Sequence, residues 1–175
     1  MTNLDRIRRL SIGMRFMIAL GMAGFLLLPP LFWIVPGWLD NASVLNGTAP
    51  AELLPWQRAA GAAVALGVGA LGAWMLSGLW VLFGLYARGV IFQAENVAAL
   101  RRFAHGLLVW VLAGMAATPV STVIATAANA PGARQVAVGI EDGQITSLVL
   151  AGVFLVIARV MDEGRALHDD NAQIV

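Results

Sequence analysis

Three long stretches of this chain carry no charge: Phe16–Val35, Ala59–Tyr86 and Gly106–Ala128. A fourth uncharged run, Ile145–Ala158, continues past Arg159 through Val160 and Met161 to the short end of what a span requires. About 20 predominantly apolar residues in a helix cross the roughly 30 Å of bilayer hydrocarbon. Lipid offers no hydrogen-bond partners, so a backbone placed there must satisfy itself as a helix. The chain is therefore expected to be all-α: an integral membrane four-helix bundle forming a single domain, residues 1–175, with spans at 16–35, 59–86, 106–128 and 145–161. Composition agrees, at 59% hydrophobic and 12% charged, half the roughly 25% charged of soluble chains. A cleaved signal peptide would explain residues 1–35 differently. Its apolar region would reach only about 7–15 residues, and Pro36-Gly37-Trp38 is a poor small-residue cleavage site.

The arginines set the orientation. Arg6, Arg8, Arg9 and Arg15 precede the first span, Arg88, Arg101 and Arg102 lie between the second and third, and Arg159 and Arg165 close the fourth. Only Arg58 and Arg134 fall in the other two loops. Loops rich in basic residues stay in the cytoplasm. Segments 1–15, 87–105 and 162–175 are thus expected on the cytoplasmic side of a bacterial inner membrane, with both termini inside. Trp33, Trp38 and Trp56 fall around the outer boundary, where aromatic rings anchor.

Motifs inside the spans point to packing rather than chemistry. Gly67-Val68-Gly69-Ala70-Leu71-Gly72 matches GxGxxG, but that fingerprint works only between a strand and an exposed helix N-terminus holding a pyrophosphate. In mid-membrane the same glycines belong to another pattern. Gly61, Ala65, Gly69, Ala73 and Ser77, spaced by four, place small side chains on one helix face for close approach of another helix, expected to come from the same chain. Pro29, Pro30 and Pro119 remove backbone donors and are expected to kink the first and third spans, with Thr118, Ser121 and Thr122 available to the freed carbonyls. Apart from Arg159 near the end of the fourth, no charged residue lies within the spans, whereas proton- or ion-coupled transporters carry ionisable groups deep in theirs. Nor is there a membrane-embedded pair of aspartates, an HExxH, or a serine with a basic partner. No enzyme, cofactor or metal is expected. The absence of cysteine removes thiolate ligands and thiol nucleophiles.

The outer loops say less. Asn41-Ala42-Ser43 and Asn46-Gly47-Thr48 are formal glycosylation acceptors, read here as parts of a solvated connector. In the second loop Val136, Val138 and Ile140 alternate ahead of Asp142-Gly143, which suggests a short hairpin.

Two polar phrases remain, on the same expected side of the bilayer. In the first, Gln93 as helix cap places Phe92 one residue ahead of it, to staple onto Val97. Glu95 in the first turn complements the helix dipole, and Val97, Leu100, Ala104 and Leu107 continue one face into the third span. In the second, Val160, Gly164, Leu167, Asn171 and Ile174 follow a heptad-like seam, and Arg165 is spaced to pair with Asp169. Helices this short are marginal alone in water and must pack on each other, on a second copy or on another protein. The candidate partner-binding residues are Phe92, Glu95, Asn96, Leu100, Arg101, Arg102, Arg165, Leu167, Asn171 and Ile174. Against that stands the ordinary role of charged helix ends, which is to be solvated and to fix topology. His168-Asp169-Asp170 looks like a metal site in one dimension, but on a helix these side chains diverge.

At these residues the chain resembles the family of small four-span bacterial membrane proteins catalogued as domain of unknown function 2975. The likeness rests on "RGVIFQAENVAALRRFA" and on the closing "RVMDEGRALHDDNAQIV". Gly89, Phe92, Glu95, Asn96, Leu100 and Arg101 match position by position, while Gln93 stands where a serine-like cap is common. The resemblance implies the four-span plan and an acidic, asparagine-containing terminal helix. It also implies proximity to genes for small helix-turn-helix regulators, hence a membrane protein that holds or inhibits a transcription factor without itself binding nucleic acid. The competing expectation is a small transporter or channel subunit, with a polar path past Pro29 and Pro119.

Overall fold

A computed structural model of the protein describes residues 3–35, 53–91, 93–140 and 142–172, with side chains from Arg6 through Gly164 within them. Each uncharged run falls, to within two residues, on one helix: α1 (Asn3–Ile34), α2 (Pro55–Ala87), α3 (Ala94–Thr126) and α4 (Asp142–Ala172). All four are long and apolar enough to cross a membrane. They also outrun the expected spans. Residues 94–105 form no separate amphipathic helix but the first turns of α3, and α4 continues past Met161 without a break.

The α2–α3 turn is built from backbone demands that its residues meet. Gly89 has φ +79°, the left-handed conformation that follows a helix C-cap and suits glycine. Its N–H donates to the Tyr86 carbonyl and the Val90 N–H to the Leu85 carbonyl, both at 3.0 Å. The chain then re-enters a helix at Gln93. There the third helical residue, Asn96, accepts the Gln93 N–H through Oδ1 (3.0 Å) and donates through Nδ2 to the Val90 carbonyl (3.1 Å). One fully buried amide thus satisfies both sides of the turn. Pro55 opens α2 at the position where a missing N–H costs nothing. Gln57 reaches back as Asn96 does, accepting the Leu54 N–H at 2.8 Å.

The helices pack in chain order, α1 on α2, α2 on α3 and α3 on α4, and the backbones of α1 and α4 do not meet. Glycine decides how closely they approach. A methyl group at Gly61 would overlap the Trp33 ring, and one at Gly69 would overlap the carbonyl oxygen of Phe25. That carbonyl is the one Pro29, lacking an N–H, leaves without its helical donor. α1 turns it onto the bare Cα of Gly69 and runs unbroken through both prolines. On the other side of α2, a methyl at Gly78 would sit 2.7 Å from the Phe103 nitrogen, and one at Gly106 of α3 would sit 2.8 Å from the Met75 Cα. Close backbone contact on small residues is the usual basis of helix association in lipid. The expected partner for the stripe, a helix of the same chain, is α1 for Gly61 and Gly69, and Ala65 packs against the cluster of Trp33, Leu53 and Ala125. Ala73 is buried as well, whereas Ser77 is only half-buried and bonds to the Trp74 carbonyl of its own helix. Sequence spacing missed Gly78 and Gly106, which serve the second contact face, and Gly72, where a methyl would sit 2.9 Å from the Phe25 ring of α1 and 3.0 Å from the Trp110 ring nitrogen of α3.

Two expectations fail here. Trp33 is no interfacial anchor: it is buried, filling the space left by Gly61 between Leu53 and Ala125. Trp56 is 51% exposed, and Trp38 lies outside the described residues. Residues 134–140 form no hairpin, and Asp142-Gly143 opens α4 instead of turning a strand. The alternation has a different cause. The Gln135 N–H donates to the Thr126 hydroxyl (3.1 Å) and the Ala137 N–H to the Thr122 hydroxyl (3.0 Å). Two alternate amides are fastened to threonines one turn apart on α3, while Val136, Val138 and Ile140 are exposed.

Candidate functional site

Side-chain contacts tie the four helices together at one end, and that end holds most of the arginines. Arg15 of α1 lays its guanidinium over the Trp80 ring of α2, 4.2 Å from the ring centre. Arg102 of α3 lies 5.9 Å from the Trp74 ring of α2. Arg101 of α3 pairs with Asp162 of α4 at 2.9 Å. Since both partners are 34–47% exposed, this bridge contributes at most about 1 kcal/mol and serves chiefly to register α3 on α4. Beyond Asp162, α4 runs on to Ala172, about 15 Å of further helix at 1.5 Å per residue.

The first turns of α3 divide cleanly into two faces. Glu95, Arg101 and Arg102 are exposed. Asn96 and Leu100 are not: Asn96 is fully buried in the turn, and Leu100 packs with Leu82, Ala99 and Ala158 between α2, α3 and α4. The apolar seam Val97, Leu100, Ala104 and Leu107 is thus occupied inside the chain, so Asn96 and Leu100 have no surface to offer a partner. Phe92 and Ile174 lie outside the described residues. Arg165, Leu167 and Asn171 belong to the helical backbone of α4, with their side chains beyond the described part. His105 is exposed and stands 2.9 Å from the carbonyl of Arg101 one turn earlier.

The far end is tied by groups that spacing did not single out. Gln57 is 1% exposed, and its Nε2 donates to the carbonyls of Ile124 (2.8 Å) and Ala125 (3.0 Å) at the C-terminus of α3. Around Pro119 the hydroxyls bond to other carbonyls than the one expected. Thr118 donates to Gly114 (3.3 Å) and Thr122 to Pro119 (2.9 Å), not to the Met115 carbonyl that Pro119 cannot serve. A half-open groove of about 370 Å³ lies between α3 and α4, lined by Trp110, Val111, Gly114, Gly143, Gln144 and Ser147.

Four antiparallel helices of spanning length, tied at an arginine-rich end, define a multi-pass membrane protein. The model of the family described as Protein of unknown function (DUF2975) matches residues 40–175, and the chain belongs to that family. No curated protein and no solved structure matches the chain. The phrase that carried the resemblance is now intelligible in part. Gly89 and Asn96 are the α2–α3 turn itself, and Leu100 is core.

Proposed function

We propose that this is a non-enzymatic protein of the bacterial inner membrane, with its arginine-rich end and both termini in the cytoplasm. There it binds a soluble protein, a small helix-turn-helix regulator, which it sequesters or inhibits. The observation that carries this reading is the length of α4, whose helix persists about ten residues beyond the Arg101–Asp162 level, further than anchoring requires. That extension is acidic: Asp162, Glu163, Asp169 and Asp170 stand against a single Arg165. DNA-binding surfaces are basic because they neutralise phosphates, so an acidic helix has the complementary charge to occupy one. With Leu100 buried, the partner surface is drawn from Glu95, Arg102 and the α4 extension.

The test is crosslinking and co-purification from native membranes with two variants: Glu95→Arg/Arg102→Glu, and Leu167→Asp/Asp169→Arg/Ile174→Asp. The tail variant is expected to lose a small DNA-binding protein that the wild type retains. An unchanged set of partners for both variants contradicts the proposal. The alternative, a small transporter or channel subunit, requires a polar path past Pro29 and Pro119 and predicts flux in liposomes.

A further inference from the structure

The arginine at the foot of α1 is neutralised incompletely. Arg15 is half-buried, and its Nε is buried without any hydrogen-bond partner. Among the described residues no carboxylate pairs with it; its one close electrostatic neighbour is the Trp80 ring. A cation held against protein without an anion or a full set of hydrogen bonds is costly. A second arginine reaches the same turn of α2. The Arg15 guanidinium sits beside Gly84, 3.8 Å from the place a side chain would begin. Arg88, one turn further along α2, donates its Nε to the Gly84 carbonyl at 3.3 Å and is itself exposed. Both arginines thus meet α2 at Gly84.

We propose that Arg15, Arg88 and Trp80 form a binding site for the phosphate headgroup of an anionic phospholipid. Guanidinium forks suit phosphate oxygens, and basic pockets between helices at a membrane boundary hold anionic headgroups. Location favours lipid over a soluble anion. Arg15 is the last charge before the apolar run of α1, and Phe16 (66%) and Met17 (63%) beside it, like Val81 (43%) beside Trp80, are exposed apolar side chains placed to meet acyl chains. The site depends on which end of the bundle it occupies and not on which compartment that end faces. It is therefore independent of the partner proposal.

The test is thermal unfolding of the purified full-length protein in a neutral detergent, titrated with phosphatidylglycerol, phosphatidylcholine or inorganic phosphate. Phosphatidylglycerol is expected to raise the midpoint in wild type and in Arg134→Gln, a charge-matched control at the other end. In Arg15→Gln the apparent affinity falls by about tenfold or more, as expected for one lost charge-assisted contact. Arg88→Gln, at an exposed position, behaves the same way and keeps the test decisive should Arg15→Gln fold poorly. An equal shift with phosphatidylcholine, or an Arg88→Gln response identical to that of Arg134→Gln, overturns the proposal. So does a full shift from inorganic phosphate alone, which would make the site one for a soluble anion.

Discussion

Two buried amides, Gln57 and Asn96, hold opposite ends of this protein, and each does it from the third position of a helix. Gln57 ties the start of α2 to the end of α3, and Asn96 closes the α2–α3 turn. Inside a membrane protein such groups have few alternative partners, so leaving them unmade is expensive. Gln57→Leu strands the Leu54 N–H and removes the donor to the Ile124 and Ala125 carbonyls. It is expected to destabilise by about 1–3 kcal/mol, measured as a lowered thermal midpoint in detergent. Asn96→Leu is expected to cost a similar amount without changing membrane insertion. If Asn96 instead served mainly as a partner contact, its replacement would leave the midpoint unchanged while abolishing co-purification. An asparagine after Glu95 was legible as a helix start, but not as buried. Its second bond, to Val90, depends on the left-handed Gly89 bringing that carbonyl round, and only the folded turn reveals it.

At the scale of one helix, α2 settles what its glycines are for. The pattern Gly67, Gly69 and Gly72 would need all three glycines if it bound a dinucleotide. Packing needs only two: nothing lies within 4 Å of a methyl at Gly67, whereas one at Gly69 overlaps Phe25 and one at Gly72 lies 2.9 Å from the Phe25 ring. Gly67→Ala is therefore expected to change stability by less than about 0.5 kcal/mol, and Gly69→Ala to cost at least about 1–3 kcal/mol. Comparable losses in the two variants would contradict this account. The stripe spaced by four was legible because one face of a helix repeats nearly every fourth residue. Gly78 and Gly106 escaped notice because their partner face depends on how α3 crosses α2, which no single-helix spacing encodes. The 134–140 segment shows the opposite failure. Its alternation is real, but the partner is a pair of threonine hydroxyls on α3, not a second strand.

For the molecule as a whole, charge-free length made the four helices legible. The open order of packing was not, since α1 and α4 each turn long rows of exposed apolar side chains outward and do not close on each other. In lipid that exposure is expected, because bilayer chains solvate these faces as well as another helix would. The central claim is that the arginine-rich end, with both helix extensions, faces the cytoplasm. The chain contains no cysteine, so single replacements Glu95→Cys, Arg134→Cys and Asp170→Cys can be probed with a membrane-impermeant maleimide in intact cells and in inverted vesicles. Positions 95 and 170 are predicted to react only in inverted vesicles, and position 134 only from outside. Labelling of 95 and 170 from opposite sides, or of 134 from the same side as 95, would contradict the account.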